Sequence, residues 1–108
     1  MAYPLKAPSA SDNSAYIEAT QVVAVGASSA ASAVVNSKTV FVILNSTVAC
    51  WVSVGSNPTA VAAGANSFYL TGNFQYYPIA VEPGVTKIAV IQASSGGSLS
   101  IAEFGYQP

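Results

Sequence analysis

Hydrophobic and polar residues alternate with a period of two along several short stretches of this chain. Segment 15–25 begins in this way, with Ile17 and Ala19 on one face and polar or aromatic residues between them. Such alternation is typical of a half-buried β-strand. The alternation breaks at Gln21-Val22-Val23, which predicts a β-bulge at that point.

Six further segments are rich in β-branched and aromatic residues and are bounded by turn residues, so each predicts a strand. They cover residues 39–45, 49–55, 68–70, 75–81, 86–92 and 98–103. Segment 39–45 is apolar on both faces, which predicts a central strand covered on both sides. In segment 49–55 we expect the face with Cys50, Val52 and Val54 to point inward. Pro78 lacks a backbone N–H, so its strand is expected at an edge or a bulge.

Turn residues separate these segments. Glu82-Pro83-Gly84 predicts a reverse turn in which Gly84 takes a positive φ. Ser94-Ser95-Gly96-Gly97 predicts the turn of a hairpin between the last two strands. Residues 26–36 are predicted as a loop leading into a strand, although their alanines also fit helical spacing. Residues 59–66 predict a surface loop that can hold one helical turn.

Strands that recur about every ten residues, with turns between them and no long helix, predict an all-β fold. We expect about seven or eight antiparallel strands in a single β-sandwich domain, residues 15–108, with a closed barrel as the alternative. Residues 1–14 contain two prolines and show no periodicity. They predict an extended N-terminal arm.

The chain carries few charges: three basic and four acidic residues against 52% apolar residues. Either its Ser, Thr, Asn and Gln side chains keep it soluble, or it hides surface in an oligomer or on a larger particle. So few basic residues predict no nucleic-acid partner, because phosphate binding needs clustered Lys or Arg. The apolar runs are too short for a membrane span and the start lacks a secretion signal. We therefore expect no membrane partner and synthesis in a cytoplasm.

The residues for catalysis are scarce. Histidine, the commonest general base, is absent, and the carboxylates lie on separate segments, although folding could bring Glu82 and Glu103 together. Cys50 is the only cysteine, so it predicts an inert buried thiol, no intrachain disulfide and no thiolate zinc site. We therefore expect no enzymatic activity, no metal site and no cofactor.

Aromatic residues cluster around a glycine turn, where five fall within ten residues. Of these, Phe68 and Phe74 are expected to pack in the core. The candidates for a binding surface are Trp51, Tyr69, Tyr76 and Tyr77. Large rings with a polar group favour interfaces, but they suit packing on a sheet face equally well. Aromatic rings also stack on sugars, although no clustered Asp, Asn or Arg accompanies them here.

The layout of segment 48–58, Phe68-Tyr69-Leu70, Glu82-Pro83-Gly84 and segment 87–93 resembles that of small virion proteins of tailed bacteriophages. In those chains a strand with Cys or Phe, Val, Gly and an Asn-Pro turn precedes an alanine-rich loop. A hairpin of Pro-Gly, lysine and apolar residues follows, then a final Gly-Leu-Ile-Glu strand. The likeness extends from Ile17 to Glu103 and rests mainly on turn residues of β-sandwiches.

This resemblance implies a capsid decoration, or cement, protein with a jelly-roll-like sandwich. Such a protein is a dimer or trimer on the capsid exterior, so its partners are the major capsid protein and further copies of itself. The N-terminal arm, with Tyr3, Pro4 and Leu5, and the tyrosine-rich loop are expected to make these contacts. The alternative is a tail, collar or fibre component that binds a host receptor or glycan.

Overall fold

The computed structural model describes residues 15–64, 66–73 and 77–106, so the predicted arm lies outside the described residues. Within them the chain is all-β, as predicted, and the structure contains no helix long and apolar enough to span a membrane. The eight strands are β1 (Ala15–Val25), β2 (Ala30–Ala31), β3 (Phe41–Ser46), β4 (Cys50–Gly55), β5 (Phe68–Leu70), β6 (Tyr77–Ala80), β7 (Lys87–Gln92) and β8 (Gly97–Tyr106).

These strands form two four-stranded antiparallel sheets. The first sheet has the order β1-β8-β3-β6 and the second has the order β2-β7-β4-β5. The chain therefore changes sheet at every connection except the one between β4 and β5. This strand order is that of an eight-stranded jelly roll, a form of β-sandwich.

The predicted hairpin between the last two strands is wrong. β7 pairs with β2 and β4, whereas β8 pairs with β1 and β3 in the other sheet. The turn at residues 93–96 crosses between the sheets, and the N–H of Gln92 donates to the carbonyl of Gly26 at 2.9 Å. A sheet-crossing connection uses the same turn residues as a hairpin, so the local pattern does not distinguish them.

The bulge in β1 lies earlier than predicted. The register with β8 shifts between Ile17 and Ala19, and residues 21–23 are paired regularly. The alternation breaks at Val22 for another reason: this valine points outward and is 70% exposed, while Val23 faces the core. In the sequence, an outward-facing valine breaks the alternation in the same way as the extra residue of a β-bulge.

β3 is central in its sheet, as predicted, but the described residues cover it on one side only. It lies between β8 and β6. Val42 and Leu44 are fully buried, whereas Phe41 and Ile43 on the other face are half-buried. The prediction of cover on both sides is therefore wrong, because the second sheet packs against only one face.

The core lies between the two sheets. Its fully buried members are Val42, Leu44, Cys50, Val52, Leu70, Ile88, Val90, Leu99 and Ile101. Burying one such large aliphatic side chain stabilises the fold by about 1.5–3 kcal/mol. The predicted inward face of β4 is confirmed for Cys50 and Val52, and Val54 packs against the same cluster in a partly buried position.

Two local predictions about proline are confirmed. Pro78 lies in β6, at the edge of the first sheet, where its missing N–H costs no ladder hydrogen bond. In the turn after β6, Gly84 has a φ of 72° and the N–H of Val85 donates to the carbonyl of Glu82 at 3.1 Å. Predicted segment 59–66 contains turns and no helix in its described residues.

Candidate functional site

The outward side of the first sheet is a mainly apolar surface, which we call the open face, and its polar members are Thr20, Asn45 and Ser100. Its apolar members on β1, β3 and β8 are Ile17, Val22, Phe41, Ile43, Ala102, Phe104 and Tyr106. Val22 is 70% exposed, Ile17 57% and Tyr106 39%, and the others are half-buried. Successive side chains of a strand point to opposite faces of the sheet. The residues between these seven therefore point into the core, and these seven point outward.

Cross-strand pairing aligns the open face in rows. Ile17, Phe104 and Phe41 occupy one row across the three strands. The rings of Phe41 and Phe104 stack with their centroids 5.1 Å apart and their planes 5° from parallel. The Phe41 ring also lies 6.2 Å from the ring of Tyr106, measured between centroids. Such contacts hold the rings in place, so the face is a preformed apolar platform.

None of the charged side chains in the described residues belongs to the open face. Glu103 points from β8 into the sandwich, and Glu18 lies at the bulge beside the buried Gly105. Lys38 and Glu82 lie outside the strands, and Lys87 begins β7 in the second sheet. An exposed sheet face that is apolar and without charge is characteristic of a binding surface.

The outward side of the second sheet is partly covered by the chain itself. The N–H of Ala60, in the loop between β4 and β5, donates to Ser29 Oγ at 2.9 Å. Ser29 precedes β2 at the far edge of that sheet, so the loop folds back across the sheet's outer face. Ser53 and Ala89 point outward by their register, yet they are only 4% and 0% exposed beneath this loop.

Trp51 and Tyr69, two of the predicted interface residues, are neighbours on this second side. They face each other across β4 and β5, and their ring centroids are 5.1 Å apart at 56°. Tyr69 is 44% exposed and Trp51 is half-buried. We call them the aromatic pair. The pair offers a smaller apolar area than the open face, on the opposite side of the molecule.

Of the other predicted interface residues, Tyr77 alone lies within the described residues. The backbone of Tyr77 belongs to β6 in the first sheet. Phe68, predicted to be a core residue, packs against the core cluster. The remaining predicted positions, Tyr3, Pro4, Leu5, Phe74 and Tyr76, lie outside the described residues.

Sequence reasoning missed the open face. Its signal was present in segment 39–45, where apolar residues occupy both faces of the strand, and at Val22 beside Val23. On the sequence alone, these patterns predict a strand covered on both sides and a bulge. An apolar outer face and a second covering layer produce the same sequence, so only the sheet arrangement separates them.

Glu103 is the one carboxylate buried in the described residues, with 1% exposure. Its Oε1 accepts hydrogen bonds from the backbone N–H of Asn36 at 2.7 Å and from Thr39 Oγ1 at 2.9 Å. Its Oε2 accepts one from Gln21 Nε2 at 2.8 Å. These donors come from β1 and from segment 36–39 before β3, so Glu103 links both of them to β8. The arrangement is structural and leaves the buried carboxylate closed to a substrate.

The pKa values of two further groups, Cys50 and Tyr16, are raised. Burial raises the pKa of the Cys50 thiol, which is 0% exposed and lies 3.5 Å from Ser46 Oγ. A hydrogen bond with Glu18 raises the pKa of Tyr16. Both shifts disfavour the anion that a nucleophile or base would need. No group of three or more His, Cys, Asp or Glu among the described residues is arranged to hold a metal ion.

A shallow cleft of about 750 Å³ opens between β4 and the loop that follows it. Its lining residues are Ser53, Val54, Gly55, Ser56, Asn57, Pro58, Thr59, Val61, Asn66 and Phe68. None of them is titratable. The cleft can therefore offer hydroxyl, amide and ring contacts to a neutral molecule, but no acid, base or nucleophile.

Comparison of the chain with protein-family models, curated proteins and solved structures found no match.

Proposed function

We propose that this chain is a non-enzymatic structural protein that binds other protein surfaces, and that it decorates and stabilises the capsid of a tailed bacteriophage. The observation that carries the proposal is the open face. Val22 and Ile17 are more than half exposed on a sheet face to which no charged side chain of the described residues contributes. Burial of such a face against another protein removes apolar area from water without desolvating a charge.

The jelly-roll topology supports the capsid part of the proposal. Eight-stranded jelly rolls occur in viral capsid proteins and in lectins. A fold does not define a function by itself. The layout of turns that resembles tailed-phage virion proteins favours the capsid over the other uses of this fold.

The mechanism would be linkage between neighbouring capsid subunits. The open face and the aromatic pair lie on opposite sides of the sandwich, so one domain can make two separate contacts. A ligand that binds only the assembled shell stabilises that shell by about 2.7 kcal/mol when its concentration is 100 times the Kd. Copies that bridge several subunits gain further affinity because their second contact is intramolecular.

A second candidate function is glycan binding by a tail, collar or fibre protein. The cleft beside β4 favours it, since hydroxyl and amide groups line the cleft together with Phe68. The exposed ring of Tyr69 could stack on a sugar. Glycan binding would use neither the open face nor its aromatic rows.

The proposal is tested by adding purified chain to capsid shells that lack it and measuring the bound fraction by sedimentation. We expect saturable binding with a fixed number of copies per shell. Tyr69→Ala should weaken binding about tenfold or more if the aromatic pair contacts the shell. Val85→Ala is the matched control, because Val85 is 39% exposed in the turn after β6. Absence of binding to shells, with binding to tails or neutral oligosaccharides, would contradict the capsid function and support the second candidate.

A further inference from the structure

None of the described residues outside the first sheet covers the open face, and we propose that a second copy of this chain covers it. In this arrangement the open faces of two copies pack against each other about a two-fold axis. The inference rests on the proposed function only in treating the open face as a protein-binding surface. It assigns the open face to a second copy, which leaves the aromatic pair on the opposite side of the sandwich for contact with the shell.

Charge favours a copy of the same face as the partner. In a two-fold interface the same patch of both copies is in contact. A charged side chain on that patch would therefore lie near the same charge on the other copy. No charged side chain of the described residues belongs to the open face. Self-pairing therefore brings no like charges together and buries none, while the charged residues at the bulge and in the turns stay outside the contact.

The size of the face is close to what a specific dimer needs. β1 and β8 are 11 and 10 residues long, and β3 and β6 add 6 and 4 residues. At about 3.3 Å per residue and about 4.8 Å between strands, the sheet has a projected area of roughly 500 Å². Two copies would then bury on the order of 1,000 Å², which is near the lower limit for specific interfaces.

The sheet edges are poorly suited to self-pairing, which leaves the face. β6 carries Pro78, which cannot donate a ladder hydrogen bond, and β5 is only 3 residues long. At the β1 edge, Gln21 Oε1 accepts the N–H of Ala33 at 2.9 Å and Gln21 Nε2 donates to its carbonyl at 3.2 Å. This side chain ties β1 to the loop that follows β2. The bulge at Glu18 further distorts that edge.

The inference is tested by measuring the molar mass of the purified full chain, in the absence of capsid shells, by size-exclusion chromatography with light scattering. We expect a concentration-dependent mass that reaches twice that of one 10.9 kDa chain. Val22→Lys places a charge at the most exposed position of the face and should raise the dissociation constant at least tenfold. Ser100→Lys, at the cross-strand neighbour of Val22, should act in the same way and replaces a residue that is already polar. Val61→Lys, at 49% exposure in the loop over the second sheet, is the matched control and should stay dimeric.

A Ser100→Cys variant reports directly on the face, because Cys50 is fully buried. Its reaction with an uncharged maleimide should slow as the protein concentration passes the dissociation constant. Three results would overturn the inference: a monomer at every concentration, a dimer that survives both lysine variants, or a thiol protected in the monomer and exposed by deletion of residues 1–14. A monomer that binds shells would overturn the pairing and keep the capsid proposal, whereas a dimer that ignores shells would do the reverse.

Discussion

At the scale of single residues, Glu103 shows how a charged side chain can serve the fold. It lies in an alternating strand whose other inward residues, Leu99 and Ile101, are aliphatic. A buried carboxylate without its hydrogen bonds would be costly. Three donors satisfy its two oxygens, and Gln21 extends the network to Ala33, which follows β2.

Replacement of Glu103 by glutamine should destabilise the protein by about 1–3 kcal/mol. If the glutamine oxygen keeps the bonds from Asn36 and Thr39, its NH₂ group faces Gln21 Nε2, which is also a donor. Gln21 cannot rotate without losing both of its bonds to Ala33. Urea unfolding measures the effect, with Glu82→Gln in the exposed turn as the control. Equal stabilities for the two variants would show that the network contributes little.

Cys50 should be unreactive in the folded protein. The thiolate is the reactive form, and burial both raises the pKa of the thiol and excludes reagents from it. We expect a thiol-specific chromophore to react with less than one tenth of the chains under native conditions and with all of them in denaturant. Rapid native labelling would place Cys50 at an accessible site and disagree with its position in the core.

At the scale of elements, the connections decide the topology, and some of them demand glycine. Gly72 follows β5 with a φ of 87°, and a Cβ built on it would lie 2.6 Å from the carbonyl carbon of Val48. L-residues with a side chain rarely adopt this φ, and the neighbouring atom is backbone, which cannot easily move aside. The turn after β5 thus fits closely against the turn that leads into β4.

Gly72→Ala should therefore lower the free energy of unfolding by more than about 1 kcal/mol. Gly26→Ala is the matched control, because nothing lies within 4 Å of a Cβ at that position. The comparison requires only the midpoints of denaturant unfolding. If both variants unfold at the same denaturant concentration, the close approach at Gly72 carries no energetic weight.

The sequence predicted the elements better than their arrangement. Strand positions, the edge position of Pro78 and the turn at Gly84 follow from local backbone chemistry, and the structure confirms them. The partner of β8 does not follow, because the same turn residues suit a hairpin and a sheet crossing. For the candidate site, the aromatic residues of the sequence predicted a binding surface at Trp51 and Tyr69, but no sequence pattern predicted the open face. Outward apolar residues are recognised only when the inward side of each strand is known.

At the scale of the whole molecule, the two sides of the sandwich differ. The loop between β4 and β5 covers much of the second sheet, held by the hydrogen bond from Ala60 to Ser29. The first sheet has no such cover among the described residues, and its outer side is the open face. This asymmetry explains how a chain with so few charges can have a well-packed core and still carry a surface suited to another protein.

Cryo-electron microscopy of virions that contain this chain tests the central claim most directly. The account predicts regular copies at joints between capsid subunits, each with the open face buried against protein and, in the proposed pairing, against a second copy. Density at the tail alone, no density on the virion, or capsid-bound copies whose open face points into solvent would contradict it.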